Sequence, residues 1–167
     1  MAEVKEKVIA WRGLVEKWCN KGIVPVPPAL VLAIIQLESA GNPNAVRKEP
    51  KYLQAYGNTK KIRDIVKATG LAAEDIAASY GLMQLMVPTA WGYLSAAHKG
   101  ADVINVLCDP QQGIRYGIAH LSTKYKQRNG NIRLAARDYN GTGVMAEAYG
   151  RNALELYLKY QKYIEGA

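Results

Sequence analysis

Apolar residues recur along this chain with helical spacing almost throughout. Val4, Val8, Trp11, Val15 and Trp18 fall 4, 3, 4 and 3 positions apart, which lays them along one helix face. Gly22 and the prolines of "NKGIVPVPP" then break the pattern. A second helix is predicted from Pro28, because proline suits a first helical turn. Gly41 is its stop. "GNTKKIRDIVKATG" reads as a short capped helix carrying Ile62, Ile65 and Val66 and ended by Gly70. "LAAEDIAAS" gives a helical turn, and "VPTAWGYLSAAH" a helix opened by Pro88. From Pro110, the residues Ile114, Ile118, Leu121 and Tyr125 mark a long helix running to Asn129-Gly130. Asn131 caps the next, with Ile132, Ala135, Ala136 and Tyr139 on one face and Asn140-Gly141 as the stop. Asn152 caps a last helix carrying Leu154, Tyr157 and Leu158. Only "KGADVIN" has strand character. No linker or internal repeat divides the sequence. The expectation is an all-α or mainly α single domain over residues 1–167, with residues 1–27 as an N-terminal helix and connector packed on the rest.

One residue interrupts the apolar logic. In "AIIQLESAGNPNAV", Glu38 shares a face with Val31, Ile34 and Ile35. A carboxylate on an inward face loses hydration, and in a last helical turn it meets the partial negative charge of the helix end. Both effects favour the protonated acid, which is the form that cleavage of a glycosidic bond requires. The competing reading is a frayed helix end that releases Glu38 to solvent.

Composition narrows the options. At 167 residues and 49% hydrophobic, the chain can bury a core. No apolar run approaches the roughly 20 residues of a membrane span. The start, "MAEVKEKVIAW", lacks the apolar stretch and cleavage site of a secretory signal. Cys19 and Cys108 lack metal-type spacing and read as free thiols. His98 and His120 have no ligand-like neighbours, so neither a metal nor a cofactor is expected. The net charge of +8 favours acidic partners. Its cations are scattered, without the clusters and interleaved aromatics of a nucleic-acid reader.

Two further stretches add to Glu38. "SYGLMQLMVPTA" supplies Ser79, Met83, Met86 and the amide of Gln84, which can donate and accept hydrogen bonds as a sugar demands. "ARDYNGTG" places Tyr139 and Asn140 at a helix end. In order and style, these three segments together resemble the soluble lytic transglycosylases that share a lysozyme-like fold. The terminal "ALELYLKYQKYI" resembles the tyrosine-containing last helix of that family. The resemblance covers residues 28–165. It implies a lysozyme-like fold with a substrate groove and cleavage of the bond between N-acetylmuramic acid and N-acetylglucosamine in peptidoglycan. Glu38 then matches the single catalytic acid, followed by Ser39. Ser79, Gln84 and Met86 match residues lining the sugar groove, Tyr139 the tyrosine near the acid, and Asn140 its neighbour.

Three departures from the family pattern stand out. "VRKEPKYLQAYGNTKKIRDIVKATG" lengthens the stretch between Glu38 and Gly81, Pro88 lies one place late, and Asp138 replaces a small residue. The first implies a modified groove wall.

The implied chemistry uses one carboxylate, first as acid and then as base, and ends in a 1,6-anhydro sugar without water. The alternative is a hydrolytic muramidase with a second carboxylate. Glu49 in "RKEPKY" is its best candidate, against a surface glutamate paired to Arg47, Lys48 or Lys51. Asp75 and Asp138 are weaker candidates. A catalytically inactive wall-binding module is the reading from outside enzymology. Expected partners are peptidoglycan glycan strands, with no nucleic acid, no stable membrane insertion and a monomeric state. The expected setting is a phage lysis enzyme released from the host cytoplasm to the wall, or a domain carried by a phage virion. A bacterial export-associated enzyme is the remaining possibility.

Overall fold

The computed structural model describes residues 3–167. Eleven α-helices among the described residues confirm the mainly α expectation. In chain order they are α1 (Glu6–Ile9), α2 (Arg12–Trp18), α3 (Pro28–Ser39), α4 (Pro50–Tyr56), α5 (Lys60–Thr69), α6 (Ala73–Ile76), α7 (Val87–Ala90), α8 (Val103–Cys108), α9 (Pro110–Gln127), α10 (Ile132–Asn140) and α11 (Val144–Glu165). Three short strands are interleaved: β1 (Val46–Lys48), β2 (Ala78–Tyr80) and β3 (Leu85–Met86). Two compact units result. One joins the chain up to Gly41 with Ile118–Ala167, and the other is Asn42–Gly117.

The first unit is organised on α3. Leu30 through Ile35 are all completely buried, so this helix is apolar on every side rather than along one stripe, as befits a core helix. It packs against α11, α2 and α1. Val8 and Val15 are buried as the first stripe predicted. The expected single N-terminal helix is instead α1 and α2, divided at Ala10-Trp11. The Trp11 indole donates to the Gly41 carbonyl at 3.0 Å. Buried Gln36 donates to the Glu3 carbonyl at 2.9 Å and accepts from the Tyr160 hydroxyl of α11.

Helix ends follow the sequence closely where side chains cap them. Thr59 Oγ1 accepts from the Ile62 amide, and Asn131 Oδ1 accepts from the Leu134 amide at 2.9 Å. Gly70 ends α5 in the left-handed conformation. At the end of α3 the left-handed residue is Ala40 (φ 51°), and Gly41 follows at φ 85°. A side chain on Gly41 would meet the Lys7 carbonyl at 2.7 Å, so the glycine is required there by packing as well as by its backbone.

The second unit holds an antiparallel sheet in the order β1-β2-β3. Arg47 pairs with Ser79, and Ser79 with Met86. No strand was expected in these stretches, while "KGADVIN" proves to lead into α8. The strands are two or three residues long, too short to show alternation. "VPTAWGYLSAAH" forms only the four residues of α7 and a 3₁₀ turn at Ala96–His98. The last helix starts at Val144 rather than Asn152, and Ala146, Gly150, Ala153, Leu156 and Tyr160 form its buried face. Leu158, one of the apolar residues that marked this helix, is exposed.

Candidate active site

In the first unit, Glu38 lies in the last turn of α3, half-buried where the apolar helix emerges from the core. The next residue holds that turn closed. Ser39 Oγ donates to the Ile35 carbonyl and accepts from the Gly41 amide, both at 3.2 Å. From α11, the Tyr149 hydroxyl donates to Glu38 Oε1 at 2.8 Å. The glutamate is therefore neither frayed nor sealed in the core. It is accessible in part and held by a phenol.

Sequence reasoning missed Tyr149, because a last helix starting at Asn152 leaves it in a loop. The signal that finds it is the series Ala146, Gly150, Ala153, Leu156 and Tyr160, which extends the helix back to the glycine turn. Tyr139, the tyrosine expected near the acid, packs its ring against His120 of α9 with centroids 5.2 Å apart. Asn140 closes α10 and is exposed.

His120 has its own electrostatic consequence. Burial, reinforced by Lys124, pushes its pKa down to about 4. Above pH 6.5 the imidazole is neutral in both folded and unfolded chains. As the pH falls from 6.5 towards 4, the unfolded chain takes up a proton that the folded one resists. Folding should lose about 3 kcal/mol over that interval. Denaturant unfolding at a series of pH values should show this loss, and His120→Gln should lack it.

In the second unit, Ser79 and Met86 sit side by side across β2 and β3, with Arg47 opposite Ser79 on β1. Directly opposed residues present their side chains to the same face. Ser79 Oγ donates to Glu49 Oε1 at 3.4 Å, and Arg47 Nε donates to the same oxygen at 2.6 Å. Glu49 is thus the ion-paired glutamate of the simpler reading, standing beside Ser79. Asp75 pairs with Lys48, and Asp138 with Arg128 and Arg137.

Gln84 has a positive φ of 47° and is almost fully buried. Its Nε2 donates to the Ala45 carbonyl at 2.9 Å and the Gly81 carbonyl at 3.0 Å. Both amide hydrogens thereby secure the turn between β2 and β3. Met83, read as a soft substrate contact, is instead core, wedged so closely on Gly117 that an added Cβ would lie 2.3 Å from its sulfur. Met86 stays half-buried.

Both thiols are unbridged, Cys19 buried and Cys108 half-buried. Among the described residues no cluster of His, Cys, Asp and Glu could hold a metal. None of the described helices is long and apolar enough to cross a membrane.

The family model described as the transglycosylase SLT domain matches residues 19–158. No curated protein sequence matches the chain. Among solved structures, the chain is similar to one titled as a complex of the 70-kDa soluble lytic transglycosylase with bulgecin A. The TM-score is 0.62 at 20% identity, over 95% of this chain and 25% of that one. The present chain thus spans about a quarter of that protein's length. The match of fold is joined by a family match that runs from the end of α2 into α11 and includes Glu38, the sheet with Ser79 and Met86, and Tyr149. The chain belongs to the transglycosylase SLT domain family.

Proposed function

We propose that this chain is a peptidoglycan lytic transglycosylase that cleaves the β-1,4 bond between N-acetylmuramic acid and N-acetylglucosamine. Glu38, in its protonated form, donates to the leaving glycosidic oxygen. The muramic N-acetyl group supports the cationic centre, a substrate-assisted route with no need of a second protein carboxylate. The resulting Glu38 carboxylate takes the proton from the sugar's own C6 hydroxyl. That oxygen bonds to the anomeric carbon and gives the 1,6-anhydro product. Water must be kept away and the ring held ready for this closure.

The observation that carries the reading is the Tyr149–Glu38 hydrogen bond at the end of α3. It fixes one carboxylate in a partly desolvated turn within a chain of this family. Tyr149 acts on the reaction by positioning Glu38. Tyr149→Phe should lower kcat about tenfold while leaving KM and the melting temperature close to wild type, the loss expected for one positioning hydrogen bond of about 1.4 kcal/mol. A change confined to KM would assign Tyr149 to substrate binding instead.

In the second unit, Ser79 and Met86 are proposed contacts for the glycan; in the first, Tyr139 and Asn140 keep the role that the family resemblance implies. The net charge of +8 supports adsorption to acidic wall polymers, weakened by salt. We place the chain's action at the cell wall during phage lysis or from a phage particle. Incubating the purified chain with insoluble peptidoglycan sacculi tests the proposal. Release of soluble muropeptides is the expected result, and sacculi left intact would overturn it.

A further inference from the structure

A cavity of about 580 Å³ lies beside the turn that joins α10 to α11. Lys124 and Arg128 from α9 and the adjoining turn line it, together with Arg137 and Asp138 from α10 and Glu147 from α11. The mechanism assigned to Glu38 uses none of these side chains.

Two carboxylates hold the arginines in a chain of ion pairs. Glu147 accepts from Arg133 at 3.0 Å and from Arg137 at 2.9 Å. Asp138 accepts from Arg137 at 2.8 Å and from Arg128 at 2.5 Å. Desolvation pushes the Asp138 carboxyl up, yet hydrogen bonds from Arg128 and Arg137 outweigh it and hold the group below its ordinary value. The Arg137 hydrogen bond is the largest influence lowering Glu147. Both carboxylates are thereby committed to arginines.

The cations are not all balanced in return. Three of them line the cavity against two carboxylates, and Arg133 behind Glu147 adds a fourth. The two carboxylates pair with arginines, and Lys124 belongs to none of these four ion pairs. Arg128 reaches Asp138 through its Nε, which leaves its terminal nitrogens to serve as donors. Lys124 and Arg128 stand four residues apart at the end of α9, so their like charges share a face and repel. A small anion between them would turn that repulsion into charge-assisted hydrogen bonds. A neutral sugar would not. The glycine turn at Gly141 and Gly143, which also borders the cavity, leaves room for close approach.

We propose that this cavity binds a compact oxyanion, a carboxylate or phosphate group, between Lys124 and Arg128. Asp138 and Glu147 serve to orient the arginines and are not ligands. The site does not depend on the reaction assigned to Glu38, so either assignment can fail without the other.

Titrating the full chain with inorganic phosphate and with sodium acetate, followed by amide NMR at constant ionic strength, tests the proposal. The expected result is a saturable shift centred on Lys124, Arg128, Gly141 and Gly143. In Lys124→Gln, which leaves the arginine–carboxylate pairs in place, the apparent affinity should fall about tenfold. Saturation by phosphate alone assigns a phosphate group, and saturation by acetate as well assigns carboxylate recognition. Shifts that grow without saturating, or that persist unchanged in Lys124→Gln, would overturn the proposal.

Discussion

Glu38→Gln should lower the release of muropeptides from peptidoglycan by about a thousandfold or more, while the melting temperature stays near that of the wild type. General acid or base catalysis by one positioned group contributes typically about 10²–10⁴. Here the same carboxylate is assigned both proton transfers, so losing it removes the acid for bond cleavage and the base for ring closure. The amide is nearly isosteric, and its oxygen can still accept from the Tyr149 hydroxyl that now reaches Oε1 at 2.8 Å. Glu38 is half-buried at the helix end rather than inside the apolar body of α3, so neutralising it opens no cavity. An active Glu38→Gln with normal kinetics would remove Glu38 from the mechanism. An inactive variant with a collapsed melting transition would indicate only unfolding, so both quantities must be read on one preparation.

The largest effect on stability is expected at Gly81. Gly81→Ala should destabilise the second unit by about 3–5 kcal/mol. Gly81 has φ 77°, a conformation that side chains rarely adopt, and its amide donates to the Ala45 carbonyl at 2.9 Å. A methyl group there would sit 2.1 Å from the Leu107 carbonyl oxygen. That oxygen belongs to the backbone of α8 and cannot swing aside as a flexible side chain would. The turn that Gly81 opens also carries Gln84, whose two amide donors rest on carbonyls at 45 and 81. Backbone strain and steric overlap therefore act on the turn that sets β3 and Met86. Chemical denaturation of Gly81→Ala, compared with wild type, should show an early transition. A midpoint within experimental error of wild type would contradict the packing described here.

Much of the first unit was legible from residue types. Pro28, Asn131, Gly130 and Gly141 mark helix boundaries through local backbone chemistry, and the structure uses each of them near the expected place. The motifs around Glu38, Gly81 and Tyr139 resembled the family that the match over residues 19–158 establishes. The sheet was not legible, because strands of two or three residues are fixed by their partners rather than by their own pattern. Apolar periodicity also over-specified α3. A helix buried on all sides has no single stripe, so the stripe through Glu38 could not by itself establish how deeply that residue lies.

Tyr149 shows a different limit. Its tie to Glu38 spans 111 positions and depends on where α11 begins. The small residues that let α11 pack closely, Ala146, Gly150 and Ala153, are weak hydrophobic signals, so the pattern alone starts the helix too late. Gln84 and Met83 illustrate the opposite case, in which chemically suggestive side chains proved to secure the turn and the core.

The most direct test of the account is mass spectrometry of the soluble muropeptides released by the purified chain. Glycan ends carrying 1,6-anhydro-muramic acid, absent from Glu38→Gln digests, are the expected result and would establish ring closure by the sugar's own hydroxyl. Products ending in a reducing sugar would contradict it. They would mean that water attacks the anomeric carbon, and would direct attention to Glu49, the carboxylate beside Ser79.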